Sequence, residues 1–380
     1  MFSEPRVALI HYWLVRMRGG ERVLERLLSL FPSADIFTHV YDPASVSEII
    51  RSHNVSTTFI QKLPASRQHY QKYLPLMPMA LEELDLSRYD LVISCEAGPA
   101  KGVITGPDTA HLCYCHSPMR YIWDAYGEYR SSSGAFTRMM MPWLFNHLRT
   151  WDAASAARVD SFVANSNFIR RRVQKVYRRE STVVFPPVPV DDFMPTTDVE
   201  GRYLWVGEMT PYKRADLVVD AFNELGLPLL MIGDGPMARA VRRRAKPNIT
   251  FINHLSYADL RTAFARCRGL VFTAREDFGI VLAEALAAGR PTLAYGRGGA
   301  QDIVSPGVTG LFFDEQTPES VIDGVQRFEA WLPNFNPAEA VRRARRFAPE
   351  RFDEGLMGEV RLLTGWTRPA SRPHVSLVAT

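Results

Sequence analysis

The sequence predicts a two-domain α/β protein, each domain a parallel β-sheet wrapped by crossover helices, and three observations carry that reading. The chain has 380 residues, more than one hydrophobic core usually serves. Short apolar runs alternate with amphipathic helical patterns almost throughout, the rhythm of strands buried on both faces and joined by helices. A proline-rich stretch at 185–195 interrupts that rhythm once, near the middle. Proline fixes φ and removes a hydrogen-bond donor, so this stretch reads as an extended linker.

Strands are expected at 6–11, 34–39, 90–94, 109–115 and 161–164 in the first half, with a helix over 21–31. The second half restarts with strands at 203–206, 228–232, 249–252, 269–273 and 291–295, and a further step at 310–313. Helical patterns fill 214–225, 236–244, 257–266 and 280–288. The boundaries that follow are 1–187, 188–345 and a closing helix within 346–366 that packs back towards the first domain. No internal repeat is visible, only a repeated architecture.

Composition narrows the function. Hydrophobic residues make up 46% of the chain and aromatics 11%, enough for two sizeable cores. The net charge of +4, from 45 basic and 41 acidic residues, is too mild for a nucleic-acid partner. Cys95, Cys113, Cys115 and Cys267 are too scattered for a disulfide framework or a zinc site and read as reduced thiols in buried strands. The chain enters its first strand without an apolar leader, and no run reaches the ~18 apolar residues of a spanning helix, so a cytoplasmic location is expected.

Four constellations could carry chemistry. Gly19-Gly20 precedes the first helix, where free N–H groups and a positive dipole end suit an anion; the same pair also suits a plain turn. Glu276 and Glu284 flank Gly279 at a strand-to-helix junction, at the sheet edge where open α/β folds bind ligands. Two carboxylates so spaced can each accept a diol, though an N-terminal acid and an exposed helical glutamate fit the spacing too. Lys213-Arg214 closes the first turn of the second domain, suited to a leaving diphosphate or to solvent. His116, ahead of Ser117-Pro118, is either structural or catalytic.

Taken together these residues resemble the retaining glycosyltransferases of family 4, which have the GT-B fold of two facing Rossmann-like domains with a deep cleft between them. Glu276…Glu284 is similar to that family's pair of glutamates with seven residues between them. Gly207…Lys213 resembles its phosphate-binding turn, Gly233-Asp234-Gly235 a turn lining the cleft, Gly298-Gly299 the glycines beside the diphosphate, and His116 the histidine beside the transferred sugar. The stretches 11–14, 19–23, 115–124 and 151–160 resemble more narrowly the WbaZ-type mannosyltransferases of O-antigen and exopolysaccharide assembly.

The resemblance implies an N-terminal acceptor domain and a C-terminal donor domain. It also implies retention of anomeric configuration without a metal or other cofactor, GDP-mannose as donor and a polyprenyl-diphosphate-linked saccharide as acceptor. His116, Lys213 and Glu276 would be catalytic. Gly19, Gly20, Gly207, Arg214, Gly233, Phe278, Gly279, Ile280, Glu284, Gly298 and Gly299 would bind the donor. No Asp-x-Asp triplet occurs, in keeping with a metal-free diphosphate site. A nucleotide-sugar epimerase and a non-catalytic nucleotide- or saccharide-binding protein are the alternatives on this scaffold; an NAD-dependent oxidoreductase lacks its glycine fingerprint. The chain departs from the family at Glu208, where an arginine is usual and an acid would repel a diphosphate. Arg214 takes over, Glu208 points away, or Lys213 and backbone amides hold the diphosphate. Six cations within 168–179 and an oily run at 136–148 suggest a peripheral seat on the anionic inner face of the cytoplasmic membrane.

Overall fold

A computed structural model describes residues 5–124, 126–131 and 134–367. The opening residues 1–4, part of the stretch read as entering a strand without a leader, lie outside them. Among the described residues, two all-parallel sheets divide the chain. The first comprises β1 (Val7–His11), β2 (Asp35–Thr38), β3 (Val55–Thr57), β4 (Leu91–Glu96), β5 (Ala110–Cys115), β6 (Ser161–Ala164) and β7 (Thr182–Val183), in the spatial order β3-β2-β1-β4-β5-β6-β7. The second comprises β8 (Tyr203–Val206), β9 (Leu229–Ile232), β10 (Ile249–Ile252), β11 (Leu270–Phe272), β12 (Thr292–Tyr295) and β13 (Gly310–Phe313), ordered β10-β9-β8-β11-β12-β13.

The central strands are mostly apolar because helices cover both faces of each sheet. Along β1, Leu9 faces one core with Ile36, Ile93 and the helix Gly19–Leu30, while Ala8 and Ile10 face another with Val92, Leu81 and Tyr89. The register places Leu9 opposite Ile36 on one side and Ile93 on the other. β3 and β7 are additions to the expected list. At three and two residues, and without a fully buried position, they lack the apolar run by which a strand is recognised.

The closing helix, Pro349–Thr364, belongs to the first core. Phe352, Leu356 and Val360, four residues apart, are buried there with Trp366, and the ring of Phe352 meets Tyr114 at 5.5 Å. Arg26 of the first helix donates to Asp353 at 2.7 Å, and Ser161 to Glu359 at 2.9 Å. The linker is anchored where Val188 N–H donates to the Phe347 carbonyl at 2.9 Å.

Each sheet changes direction once, between β1 and β4 and between β8 and β11. Open α/β folds bind ligands beyond the carboxyl ends of strands at such points. The turns after β1, β5, β8 and β11 carry Gly19-Gly20, His116, Gly207…Lys213 and Glu276…Gly279 respectively. Both switch points point at the same interdomain cleft, since Gly19 lies against Ile280: a Cβ on Gly19 would be 3.5 Å from the Ile280 side chain.

Three readings from the sequence change. Cys95, Cys113 and Cys115 sit in buried strands without a disulfide, but Cys267 caps the helix Tyr257–Arg266 instead. The basic stretch is not one solvated face. In the helix Asn167–Tyr177, Arg172 is buried and donates to Ser117 Oγ, to Asp124 and, at 3.2 Å, to the Pro118 carbonyl. The oily run also splits: Met141, Phe145 and Leu148 are core, whereas Met139 and Trp143 are 68% and 71% exposed.

Beneath this layer the ammonium of Lys101 and the carboxylate of Asp152 pair with no exposure to solvent; Trp123 Nε1 and the Tyr177 hydroxyl complete the partners of Asp152, at 2.7 and 3.1 Å. Breaking a buried pair leaves an uncompensated charge, a loss of about 3–5 kcal/mol. Lys101→Met is therefore expected to lower the free energy of urea unfolding by that amount at pH 7, and Lys101→Met with Asp152→Leu to recover part of it. A single-variant loss under about 1 kcal/mol would show that the pair is not dry.

Candidate functional site

The turn after β8 is fixed by close backbone contact. A Cβ on Gly233 (φ 140°) would lie 1.9 Å from the Gly207 carbonyl oxygen, and one on Gly235 (φ 149°) would lie 2.8 Å from Met209 N. Only glycine accepts these φ values and that proximity. The turn therefore returns Lys213 towards Gly207, where an added Cβ would lie 3.3 Å from Lys213 Nζ. The turn after β11 is held similarly. Gly299 N–H donates to the Glu276 carbonyl at 2.9 Å, and Gly298, at φ 74°, leaves no room for a Cβ against the same oxygen. Gly279, at φ 98°, starts the helix Ile280–Ala287.

These two turns bring Lys213 Nζ to 2.8 Å from Glu276 Oε1. Burial works against the ammonium, but Glu276, Tyr212 and Glu208 together hold Lys213 above its ordinary pKa, so it stays charged at neutral pH. Arg214 is turned elsewhere. It donates to Asp216 at 3.2 Å and to the Gln316 carbonyl at 3.5 Å, its own φ being +53°. Phe278 is 5% exposed and packs on Phe185 and Phe347, which leaves only its main chain to face a ligand.

Glu284 stands on the second turn of its helix, 4% exposed, and Arg22 from the first domain reaches it at 3.7 Å. Burial raises its carboxyl to about 7, with Arg22 opposing.

On the facing domain His116 is half-buried, and its shielded Nε2 has no hydrogen-bond partner among the described residues. Burial, helped by neighbouring His11, pushes its pKa down to about 3, so the ring is neutral. His11 stacks on Tyr12 at 4.4 Å and its Nε2 lies 3.4 Å from Glu21 Oε1. Gly20 opens onto this cluster: a Cβ there would meet the Tyr12 hydroxyl at 3.0 Å and His116 Nε2 at 3.8 Å. Glu21 also accepts from Arg18 N–H at 2.8 Å. Despite burial, the contact with His11 and backbone donors keep its carboxyl below the usual range.

The cleft also holds groups that sequence reasoning did not assign. Glu208 is met across the cleft by Arg18 at 2.8 Å and Arg16 at 3.8 Å. Asp277 is approached by Arg172 at 3.7 Å, its carbonyl accepts from Ser166 Oγ at 2.6 Å, and Asn167 donates to Asp302. The visible signal was the row Arg16, Arg18, Arg22 about Gly19-Gly20; its partners, Glu208 and Glu284, lie in the other domain. Among the described residues no group of three or more His, Cys, Asp or Glu side chains could hold a metal ion, and no helix is long and apolar enough to cross a membrane.

The model of the family described as "Glycosyltransferase Family 4" matches residues 17–192, and that of "Glycosyl transferases group 1" matches 197–332. The chain belongs to the GT-B glycosyltransferases of family 4. An O-antigen chain mannosyltransferase C of Escherichia coli is 29% identical over 160 residues, 40% of this chain and 42% of that one. A GDP-mannose-dependent alpha-mannosyltransferase of Mycolicibacterium smegmatis is 28% identical over 207 residues, 53% of this chain and 52% of that one. The chain spans about half the length of the curated relatives it matches. Among solved structures, Anabaena HepE in complex with UDP superposes with a TM-score of 0.68 at 14% identity, covering 94% of this chain and all of that one. The lipopolysaccharide outer core galactosyltransferase WaaB does so with 0.66 at 15% identity, covering 93% and 99%. Both likenesses establish the GT-B fold.

The buried acid of this family 4 chain makes its stability depend on pH. Between the unfolded value near 4.5 and the folded value of about 7, the native protein keeps a proton that the unfolded chain releases. The contribution of Glu284 is thus fully present below pH 4.5 and is lost as pH rises through 7. It amounts to on the order of 3 kcal/mol at 1.36 kcal/mol per pKa unit. Urea unfolding at about pH 5 and pH 8 should show Glu284→Gln gaining on the parent chain at the higher pH. An unchanged difference between the two would remove the assignment.

Proposed function

We propose that this protein is a retaining hexosyltransferase that moves a sugar from a nucleotide-sugar donor, GDP-mannose in first place, to a polyprenyl-diphosphate-linked saccharide in surface-polysaccharide assembly. The observation that carries the reading is the Lys213–Glu276 pair at 2.8 Å, on glycine-braced turns at the switch point of the second sheet. The GDP-mannose and O-antigen preference rests on the two mannosyltransferases reported above.

In this reading residues 188–345 hold the donor and 1–187 the acceptor. Lys213 stabilises charge on the leaving diphosphate, an electrostatic role in a partly dry site. Glu276 binds sugar hydroxyls while keeping Lys213 in place, and Glu284 takes the ribose diol. The backbones of Gly207, Gly233, Gly298 and Gly299 approach the donor, and the N–H groups at Gly279-Ile280 and Gly19-Gly20 face its anionic part. Neutral His116 offers Nε2 to a sugar hydroxyl near the anomeric carbon. No side chain stands as a covalent nucleophile in this proposal. The acceptor attacks from the face the leaving group departs, its proton passing to that diphosphate, and no metal takes part.

A panel of nucleotide sugars, assayed with a lipid-linked acceptor and with a chelator, tests this. GDP-mannose should be consumed only with acceptor, and EDTA should leave the rate unchanged. Glu276→Gln and Glu284→Gln should each lower turnover about ten- to a hundred-fold, the worth of a charge-assisted hydrogen bond of ~1.5–3 kcal/mol. Release of free epimerised sugar without acceptor, or near-parental rates in both variants, would overturn the reading.

The acceptor lipid would reach the site from a membrane surface. Exposed Met139, Met140 and Trp143 stand on one helix, and Arg170, Arg171 and Lys175 remain exposed after Arg172 is withdrawn into the interior. Each cation near an anionic surface is worth about 1 kcal/mol, screened by salt. Co-sedimentation with phosphatidylglycerol vesicles should fall at high salt, on changing those three cations to glutamine, and with Trp143→Ser. Binding indifferent to salt and to all four changes would show these are solvated faces.

A further inference from the structure

The turn after β8 cannot neutralise a diphosphate alone. Its lysine is already matched by Glu276. Its second cation, Arg214, is engaged by Asp216 and the Gln316 carbonyl. Its remaining charged group, Glu208, has the wrong sign. The cations that approach this turn come from the other domain: Arg18 Nη2 donates to Glu208 Oε2 at 2.8 Å, and Arg16 lies 3.8 Å from the other carboxylate oxygen.

We propose that Arg18, on the turn preceding Gly19-Gly20, supplies the second cation for the donor's diphosphate, and that Glu208 is a positioning residue that draws Arg18 over Lys213. This rests on reading the cleft as a nucleotide-sugar site. Three observations support it. Arg18 precedes Gly19, whose backbone meets Ile280 at the entrance to the helix bearing Glu284. Glu208 holds Arg18 at 2.8 Å on the same turn that carries Lys213, whose ammonium lies 2.8 Å from Glu276. A guanidinium has five N–H donors in a planar fork, and the carboxylate engages only Nη2 of Arg18, leaving donors for phosphate oxygens.

The pair is also made to yield. Both partners keep about half of their side-chain surface, 47% for Arg18 and 40% for Glu208, and exposed pairs bind weakly. A diphosphate can therefore share Arg18 with Glu208 without a large loss. In this arrangement neither domain carries the complete anion site, and the donor's charge is matched only when the two are in contact.

Calorimetry on the full chain tests this with GDP and UDP and with the corresponding monophosphates. The parent chain should bind at least one diphosphate more tightly than its monophosphate. Arg18→Ala should remove most of that preference, weakening the diphosphate about ten- to a hundred-fold and the monophosphate much less, whereas Arg18→Lys should keep most of it. Glu208→Gln should weaken the diphosphate as well, because Arg18 loses its anchor. Unchanged diphosphate binding in Arg18→Ala, an equal loss for both nucleotides, or tighter binding in Glu208→Gln would each overturn the proposal. If the parent chain binds neither GDP nor UDP, the reading of the cleft itself fails.

Discussion

The site depends on a backbone contact in which a carbonyl oxygen, that of Gly207, occupies the place where residue 233 would carry its side chain. That approach pins the ends of β8 and β9 together and forces the following turn to fold back with Lys213 against Gly207. The matching contact of Gly298 and Gly299 with the Glu276–Phe278 backbone pins β11 to β12. Lys213 and Glu276 then meet because their turns have nowhere else to go. Any side chain at these glycines would push the turns apart before it touched a charged group, so the electrostatics of the cleft rest on the absence of four methyl groups.

The parallel strands were legible because their physical signature is local. A strand covered on both faces reads as a continuous apolar run, and β8, β9, residues 7–10 of β1 and residues 91–93 of β4 do. The short edge strands carry no such signature; β7 is two residues whose partners lie in β6. The placement of Lys213, Glu276 and Glu284 beyond the carboxyl ends of β8 and β11 was legible for a similar reason, since a glycine-rich strand-to-helix turn marks that edge of the sheet. What escaped reading was pairing at long range. Arg18 with Glu208 and Arg22 with Glu284 join residues whose neighbours in sequence say nothing of each other. Arg172 shows the converse error: in a run of six cations it reads as one more solvated charge, yet the helix turns it inward to hold the loop after His116.

Glu208 shows how a departure from a family pattern can be neutral for the fold. A residue of the wrong sign at a phosphate-binding turn would be a liability in an isolated domain. With Arg18 and Arg16 opposite, it becomes one half of a contact between domains, and the three groups together carry a charge of +1, that of a single arginine. Sign at one position is less informative than the total within the cleft, and only the three-dimensional arrangement gives that total.

The closing helix has a consequence for how the molecule is made. Phe352, Leu356, Val360 and Trp366 fill the core of the domain whose first strand begins at Val7. During synthesis that first domain emerges early but keeps one apolar face uncovered while the whole second sheet is being translated. The second domain, by contrast, has its last strand by Phe313. The later-made unit, whose core is supplied by Ala348, can thus complete its core first, and the earlier one, its sheet already finished at Val183, must wait with an apolar surface that chaperones would recognise. Order of appearance at the ribosome and order of completion run in opposite directions.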